Sequence, residues 1–340
     1  MRTVVLPDLA VPLAPLTTLR LGGPARRLVE AESAEELVTA VREADEPVLV
    51  MGGGSNLVIA DAGWPGIVVR IASRGRRVER RQDGSVLLTV EAGEDWDDVV
   101  AATVADGLGG LECLSGIPGR TGAVPVQNVG AYGVEIADAL VDVDLWTDGV
   151  VRRVPASDLG LAYRTSMLKG RSDAIVLRVR IALPGDGRSA PIRYGELARA
   201  LGVVPGDRVP TAVARDAVLA LRRGKGMVLD PADHDTWSAG SFFTNPVLTE
   251  APPEAPTWPA GPGRVKVSAA WLIEHSGFHR GHAGPGGRVA LSGRHVLALT
   301  HRGGGTTAEL LALAAEVRDG VNARFGVSLT PEPVLVGCSL

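Results

Sequence analysis

Lysine is almost missing from this chain, which has three lysines against 32 arginines in 340 residues. Because arginine stands wherever either cation would serve, the remaining lysines at 169, 225 and 266 are candidates for positions that need an ammonium group. A charge excess of one sign is also missing, since the formal net charge is -4. The sequence therefore gives no electrostatic reason to expect a nucleic acid or an anionic membrane as a partner.

Cysteines and long apolar runs are scarce too. Two cysteines, Cys113 and Cys338, are too few for a disulfide framework and favour a reducing compartment. No apolar run reaches about 18 residues, so no membrane-spanning segment is predicted. With 45% hydrophobic residues the chain can still bury a substantial core. We expect a soluble cytoplasmic protein of one to three domains.

Glycine is abundant instead, and two glycine-rich segments stand out. One is the turn at 52–56, GGGSN; the other is the segment 114–133, LSGIPGRTGAVPVQNVGAYG, which has no hydrophobic periodicity. Glycine allows positive φ and lets the backbone come close to a ligand, and long loops inside compact domains are usually functional. Two such backbone cradles predict a ligand with a diphosphate and a long body, such as a dinucleotide.

The first glycine turn does not match the common nucleotide-binding motifs. Leu57 occupies the last glycine position of the doubly wound fingerprint, and no Gly-Lys-Ser/Thr follows as in a phosphate loop. Successive backbone N–H groups could still form an anion nest. A tight turn between two strands is the alternative interpretation.

Hydrophobic periodicity and capping signals predict an α+β fold without internal repeats. Predicted helices cover residues 33–44, 95–106, 210–223, 269–275 and 306–324, and predicted strands cover residues 46–51, 66–71, 86–92, 140–147 and 174–183. Capping boxes are predicted at Ser33/Glu36 and Thr306/Glu309. The proline-rich segment 249–264 is predicted as a surface excursion, and the chain ends in a strand-like segment.

Polar side chains with possible chemistry occur in four short segments. Arg164, in Tyr163-Arg164-Thr165-Ser166, could hold a carboxylate with two hydrogen bonds, or it could be a surface arginine. Lys225 lies between two glycines, where its ammonium could meet a phosphate or carboxylate, or could simply follow a helix end. Ser241 follows Gly240, which lets the backbone approach a ligand, so Ser241 could donate a proton; a core-edge strand is the alternative.

The fourth segment contains Glu332, which lies between Pro331 and Pro333. The prolines restrict their neighbours, which could position this carboxylate, although a solvated edge residue is also consistent with the pattern. The histidines at 275, 279 and 282 do not form a metal motif, because glycines interrupt any helix that would align them. The sequence predicts no metal site.

Taken together, the segments resemble the UDP-N-acetylenolpyruvoylglucosamine reductase family of flavoenzymes. The resemblance covers nearly the whole chain and includes, in family order, GGGSNLV, LSGIPG with PVQNVGAYG, YRTSMLK, GKGMVLD, SAGSFFTNP, KVSAAWLIEHSGF and LTPEPVLVG. Each segment is weak alone, but seven in order are specific. All three lysines fall inside these segments.

The resemblance implies a two-part FAD-binding unit, of the kind shared with vanillyl-alcohol-oxidase-like (PCMH-type) flavoproteins, followed by a C-terminal α+β substrate-binding domain. The implied boundaries are residues 1–71, with a strand at about 334–340 returning to them, then 72–208, and 209–333 for the substrate domain. The implied cofactors are FAD and NADPH. The implied substrate is UDP-N-acetylglucosamine enolpyruvate, with neither nucleic acid nor membrane as a partner.

The resemblance also assigns residues. The implied catalytic set is Arg164, Ser241 and Glu332, and the implied substrate-binding residues are Tyr194, on the tyrosine loop of the longer family type, Lys225 and Asn245. The implied FAD-binding residues lie in the two glycine-rich segments: Gly52, Gly53, Gly54, Ser55, Asn56, Leu57, Ser115, Gly116, Ile117, Pro118, Gly119, Gly122, Gln127, Asn128, Gly130, Ala131, Tyr132 and Gly133. Departures from the family pattern occur at Arg120, Ala123 and Pro333, and none removes a catalytic group.

The implied reaction reduces an enol ether conjugated to a carboxylate. Hydride from flavin N5 would leave an enolate-like dianion, which Arg164 and a protonated Glu332 could stabilise, and Ser241 would protonate the α-carbon. Two alternatives remain open at this stage. One is another FAD oxidoreductase of the same flavin fold that oxidises a sugar or hydroxy acid; the other is a non-catalytic UDP-sugar-binding protein.

Overall fold

The computed structural model describes residues 2–4 and 10–340; residues 1 and 5–9, in the first predicted domain, lie outside the described residues. The α-helices are α1 Ala34–Arg42, α2 Trp96–Ala105, α3 Gly195–Leu201, α4 Thr211–Gly224, α5 Ala269–His275 and α6 Thr307–Phe325. The strands are β1 Arg2–Val4, β2 Val11–Pro12, β3 Pro24–Ala31, β4 Val48–Met51, β5 Leu57–Ile59, β6 Trp64–Ile71, β7 Arg76–Arg80, β8 Val86–Glu91, β9 Gly130–Ala131, β10 Val134–Glu135, β11 Leu140–Thr147, β12 Val150–Pro155, β13 Ala174–Leu183, β14 Val247–Leu248, β15 Thr257–Pro259, β16 Val265–Val267, β17 Val289–Leu291, β18 Leu299–His301 and β19 Val334–Val336.

The chain forms two units, each assembled from more than one segment. The first unit comprises Met1–Val11, Ala25–Gly53 and Pro65–Gly224, and the second comprises Pro12–Pro24, Gly54–Trp64 and Lys225–Leu340. The chain passes from one unit to the other inside the glycine turn, between Gly53 and Gly54. The predicted three-part division of the chain stays a prediction.

The first unit contains two five-stranded sheets. One has the strand order β1-β3-β6-β4, with β2 also pairing with β3, and it combines an antiparallel β1/β3 pair with a parallel β4/β6 pair. The other is antiparallel, with the order β12-β11-β13-β8-β7. Strand β8 alternates between buried and half-buried residues, as expected for a strand with one face on the core. Trp96 of α2 lies in this core.

The second unit has three small sheets, β14-β16-β15, β17-β18 and the parallel pair β5/β19. Its core includes Phe242 and Phe243, each 1% exposed, and one face of α6. That face buries Leu310, Leu313, Val317 and Val321. Burial of a side chain of this size contributes about 1.5–3 kcal/mol, so α6 is a main source of stability in this unit.

Local signals located most elements within a few residues. Both hydrogen bonds of the Thr306/Glu309 capping box are present. At α1, Ser33 accepts from the Glu36 amide, but the Glu36 carboxylate accepts from the Glu32 amide, one residue before the predicted partner. The predicted surface excursion is largely exposed, and it also contains the exposed strand β15, which pairs with β16.

Helix α4 has an arginine on its buried face. Val213 is 48% exposed, whereas Ala214, Val218 and Arg222 are buried. Arginine is usually a surface residue, but Arg222 is only 8% exposed because its guanidinium reaches into the segment at 114–133. This contact connects the fold to the candidate site.

Candidate active site

Two predicted ligand-binding glycines of the first unit lie against each other. A Cβ added at Gly53 would come within 2.8 Å of the Gly119 Cα atom, so there is no room for a side chain at Gly53. Within the described residues, the amides of Gly53 and Gly119 make no hydrogen bond to the protein. Closely spaced, unused backbone N–H groups are the feature that binds phosphate oxygens in anion nests. The residues therefore fit the diphosphate of a dinucleotide.

The start of the 114–133 segment is held by charged side chains from helices α2 and α4. The Asp97 carboxylate accepts a 2.6 Å hydrogen bond from the Gly116 amide and two hydrogen bonds, of 2.7 and 3.0 Å, from Arg215. The Arg222 guanidinium donates to the Gly116 carbonyl at 3.3 Å. The two helices thus fix both polar groups of Gly116, whose φ of 71° favours glycine.

Burial opposes ionisation of Asp97, but the hydrogen bonds from Arg215 and Gly116 outweigh it and hold the pKa of Asp97 below its ordinary value. Burial also lowers the pKa of the Arg222 guanidinium. Asp97, Arg215 and Arg222 could not be identified as site residues from the sequence. Their helical positions were predictable, but no local pattern indicates that Asp97 bonds Gly116 from 19 residues away, that Arg222 does so from 106 residues away, or that Arg215 bonds Asp97.

Other predicted residues of this segment have structural contacts of their own. The buried Ser115 hydroxyl donates to the Glu112 carbonyl at 2.6 Å, and the Gly122 amide donates to the Ala92 carbonyl at 2.9 Å. A Cβ at Gly122 would lie 2.6 Å from the Ala92 Cβ. Ile117 packs against the core of the first unit. These contacts set the loop shape, and the adjacent departure Ala123 is exposed and leaves that packing intact.

Asn128 supports the loop from inside. It is 1% exposed and has a left-handed backbone with φ of 47°. Its Nδ2 donates to Glu135 at 2.7 Å and to the Ala162 carbonyl at 3.2 Å, and its Oδ1 accepts from the Ala137 amide at 3.2 Å. The Asn128 side chain therefore joins the loop to the segment just before Arg164.

Arg164 is the predicted catalytic residue of the first unit. Its φ is 56°, a region that is uncommon for residues other than glycine and that concentrates at functional sites. Its Nη2 donates to the Gly130 carbonyl at 2.8 Å, and the Lys169 ammonium donates to the Arg164 carbonyl at 3.1 Å. The rare lysine at 169 thus fixes the strained backbone of Arg164.

The two tyrosines assigned to different ligands are neighbours. The rings of Tyr132 and Tyr194 meet edge to face, with centroids 5.5 Å apart. Burial raises the pKa of Tyr132 to about 12, so its hydroxyl stays protonated at neutral pH. Tyr194 is 41% exposed at the start of α3. The contact joins a predicted FAD-binding residue to a predicted substrate-binding one. The predicted residues Gly130 and Ala131 lie nearby as β9, which pairs with β10.

The second unit brings together the segments that carry Ser241 and Glu332. The Glu332 amide donates to the Phe242 carbonyl at 2.8 Å, and Phe243 forms a bridge with Pro331. The two segments therefore run antiparallel, although 91 positions separate them in the chain. The half-buried Ser241 has its Oγ 3.5 Å from Nε2 of His295, which the sequence analysis did not single out.

Further predicted residues also lie in this unit. The Asn245 Oδ1 accepts from the Ala269 amide at 2.9 Å, so it caps α5 while its Nδ2 can donate elsewhere. Lys225 directly follows α4 and is half-buried.

In the second part of the glycine turn, the carbonyls of Gly54 and Asn56 accept from the amides of Thr18 and Val334 at 3.2 and 2.9 Å. Leu57 begins β5 opposite Val334.

Residues 2–4 and 10–340 contain no group of three or more side chains arranged to hold a metal ion. Two of the three histidines named above have other contacts: His275 stacks on Trp271, and His282 pairs with Glu316. Over the same part of the chain, no helix combines the length and the apolar character needed to cross a membrane.

Comparison with known proteins agrees with these features. Residues 25–154 match the family model described as "FAD binding domain", and residues 230–336 match "UDP-N-acetylenolpyruvoylglucosamine reductase, C-terminal domain". The chain is 64% identical to UDP-N-acetylenolpyruvoylglucosamine reductase of Saccharopolyspora erythraea, covering 96% of this chain and 95% of that protein. It is 55% identical to the protein of the same name from Salinispora arenicola, covering 98% and 97%.

A solved structure leads to the same group of proteins. The crystal structure of UDP-N-acetylenolpyruvylglucosamine reductase from Thermus caldophilus matches with a TM-score of 0.68 at 27% identity, covering 99% of both chains. Together with the two family models, this match confirms the predicted fold class: an FAD-binding unit followed by a C-terminal α+β domain.

Proposed function

This chain belongs to the UDP-N-acetylenolpyruvoylglucosamine reductase family, and on that premise we propose that it uses NADPH and FAD to reduce the enolpyruvyl group of UDP-N-acetylglucosamine enolpyruvate. The product is UDP-N-acetylmuramate, a precursor of peptidoglycan. Both substrates are nucleotides of the cell interior, so we place the reaction in the cytoplasm. The family resemblance of the sequence is confirmed by the 64% identity.

The hydrogen bond from the Glu332 amide to the Phe242 carbonyl carries the proposal on the structural side. It places a carboxyl-bearing segment beside the segment of the proposed proton donor, Ser241. A protein that only bound a UDP-sugar would have no need of an acid and a hydroxyl at adjacent backbone positions. This pairing therefore supports an enzyme over a binding module.

The substrate is difficult to reduce because its alkene is conjugated to a carboxylate that is already negative. The chemistry that FAD would supply when bound is hydride transfer, from NADPH to the terminal carbon of the enolpyruvyl group. Negative charge then develops on the α-carbon and the carboxylate. Donors already aimed at such charge contribute about 3–4 kcal/mol each. We assign this role to the Arg164 guanidinium, which can hold a carboxylate with two hydrogen bonds, and to Glu332 in its protonated form.

The α-carbon must then receive a proton. A carbanion is far more basic than an alkoxide, so the hydroxyl of Ser241 can supply it despite its weak acidity. The neighbouring Phe242 and Phe243 are almost fully buried and anchor the segment of Ser241 in the core of the second unit. We assign Ser241 as the proton donor.

Binding is assigned to the remaining residues. The facing glycines at 53 and 119 are proposed to hold the FAD diphosphate with their backbone amides. Tyr194, Lys225 and Asn245 are proposed to contact the diphosphate region of the UDP-sugar. The ammonium of Lys225 and the Nδ2 donor of Asn245 suit phosphate oxygens.

The test follows the purified protein, NADPH and UDP-N-acetylglucosamine enolpyruvate by mass spectrometry without oxygen. We expect NADPH oxidation matched by a product that is heavier by one hydride and one proton. We also expect denaturation to release free FAD. A flavin that stays attached to the polypeptide, together with reduction of the flavin by a sugar or hydroxy acid in place of NADPH, would instead support an oxidase of the same flavin fold.

A further inference from the structure

Ser241 has an ionisable neighbour that the proposed reaction does not yet use. Its Oγ lies 3.5 Å from Nε2 of His295. This is a long hydrogen bond, and such distances are common for catalytic pairs that tighten when the substrate is in place. Either atom could be the donor, since the roles depend on the imidazole tautomer.

The backbone of His295 is held firmly on its N-terminal side. The Ser292 Oγ accepts from the amides of Arg294 at 3.0 Å and His295 at 3.2 Å, and it donates to Asp235 at 2.9 Å. The turn that carries the imidazole is therefore fixed by a single hydroxyl anchored on one carboxylate.

The Asp235 carboxylate accepts hydrogen bonds from several further groups. It accepts from the Gly293 amide at 2.9 Å, from Nε of Arg294 at 3.0 Å, and from Arg302 at 2.6 Å. Burial opposes its ionisation, but these donors prevail and hold the pKa of Asp235 below its ordinary value. An ionised, multiply bonded carboxylate makes a rigid support for the turn.

A second attachment fixes the turn relative to Ser241. The His295 carbonyl accepts from the Ala298 amide at 3.0 Å, and the Leu297 carbonyl accepts from the Phe242 amide at 2.7 Å. Phe242 is the residue next to Ser241. The imidazole and the hydroxyl are therefore carried by two backbone segments that are hydrogen-bonded to each other within three residues of both side chains.

We propose that His295 is a positioning residue that orients the Ser241 hydroxyl and returns a proton to it after each turnover, an inference that rests on the proposed function. When the α-carbon takes the Ser241 proton, the O–H bond breaks and its electron pair stays on Oγ as an alkoxide. The Nε2–H bond of the His295 imidazolium then breaks, its pair stays on nitrogen, and Oγ–H forms again. Solvent supplies the next proton to the imidazole.

This assignment suits the chemistry of the two groups. A serine hydroxyl left as an alkoxide is strongly basic and must be reprotonated before the next cycle. Imidazole gains and loses protons near neutral pH more readily than the other side chains, so it can pass solvent protons to a partly buried hydroxyl. The carboxylate-anchored turn keeps it within reach of Oγ.

The experiment measures flavin reduction by NADPH and flavin reoxidation by UDP-N-acetylglucosamine enolpyruvate separately, without oxygen, over repeated turnovers. His295→Ala removes the imidazole, and His295→Gln keeps a hydrogen-bonding amide but cannot cycle a proton. His279→Gln, on the exposed loop histidine, is the matched control. FAD content and Tm of each variant report on folding.

We expect both His295 variants to reduce normally with NADPH and to slow reoxidation by about a hundredfold. Added imidazole should restore part of the rate in His295→Ala, and the His279→Gln control should match the wild type. In a Ser241→Ala background, His295→Ala should cause little further loss because both residues act on one step.

Two results would overturn the role of His295 alone. One is wild-type reoxidation in both variants, and the other is a full rate in His295→Gln, which would leave only a hydrogen bond and no proton return. A wild-type protein that NADPH reduces but that the enolpyruvyl substrate does not reoxidise would instead overturn the proposed function, and this inference with it.

Discussion

The Glu332 amide donates a 2.8 Å hydrogen bond to the carbonyl of Phe242, the residue after Ser241. This backbone contact brings the last acidic residue of the chain beside a serine 91 positions earlier. Because the hydrogen bond uses only backbone atoms, substitution of either side chain should leave the pairing in place. The contributions of Ser241 and Glu332 to the reaction can therefore be measured without dismantling the strand pair.

Ser241→Ala should separate the two halves of the catalytic cycle. Reduction of the flavin by NADPH should proceed at the wild-type rate, whereas reoxidation by the enolpyruvyl substrate should fall by about 10²–10⁴-fold because the proton donor is gone. Stopped-flow absorbance of the flavin measures both steps. Ser276→Ala, whose hydroxyl bonds only the Leu272 carbonyl of its own helix end, is the control. Normal reoxidation in Ser241→Ala would refute the assignment of this serine.

Arg164→Lys should keep the positive charge but lose the planar guanidinium. We expect reoxidation of the flavin to slow by about 10²–10³-fold, as when one preorganised donor is removed, while the flavin remains bound and reducible. Single-turnover kinetics provide the measurement. Arg171→Lys, at an exposed arginine paired with Asp173, is the matched control. Equal rates in Arg164→Lys and the wild type would show that charge alone suffices.

Gly53→Ala should weaken FAD binding. The new Cβ would lie 2.8 Å from the Gly119 Cα, and because that Cα is a backbone atom that cannot rotate away, the two loops must separate. We expect at least a tenfold higher Kd for FAD, equivalent to about 1.4 kcal/mol, in fluorescence titrations of flavin-free protein. Gly195→Ala meets no atom within 4 Å and is the control. An unchanged Kd in Gly53→Ala would exclude the facing glycines as the diphosphate cradle.

Asp97→Asn should loosen the helix contact that fixes Gly116. Loss of the charged hydrogen bonds to Arg215 should lower the free energy of unfolding by about 1–3 kcal/mol at neutral pH. The pKa of folded Asp97 lies below its ordinary value of 3.8, so this stabilisation is complete above that value and disappears as pH falls through the folded pKa.

Urea unfolding of the wild type and Asp97→Asn at several pH values tests this pH dependence. The difference between their free energies of unfolding should be constant near neutrality and shrink below pH 3.8. Asp98→Asn changes an exposed carboxylate of the same helix turn and controls for the helix dipole. A difference that does not vary with pH would mean that the Asp97 charge contributes nothing to stability.

Structural features that depend on residues close together in the sequence could mostly be predicted. Thr306 and Glu309 are three residues apart, so their capping box could be predicted, and both of its hydrogen bonds are present. The cap at Ser33 was predicted with one wrong partner, because the Glu36 carboxylate can reach either of two adjacent amides and bonds that of Glu32. Burial of Arg222 was missed because its cause lies in a loop 106 residues away.

Residue type and family resemblance identified the candidate site residues, but they did not indicate which contacts hold those residues in place. Arg164 could be singled out from the sequence, whereas its positive φ and the Lys169 contact that holds its carbonyl depend on the folded turn. The FAD assignment of Asn128 stays a prediction, and no sequence pattern indicates that its Nδ2 also supports the loop by donating to Glu135 and to the Ala162 carbonyl. His295 gave no local signal, since its importance comes only from its distance to Ser241.

The most direct test of the central claim follows the visible flavin band through one anaerobic cycle. NADPH is added until the band is bleached, and UDP-N-acetylglucosamine enolpyruvate is then added without oxygen. We expect bleaching by NADPH followed by full return of the oxidised band. A band that bleaches but does not return would contradict the proposed substrate, and a protein without any flavin would contradict the assignment of both glycine-rich segments.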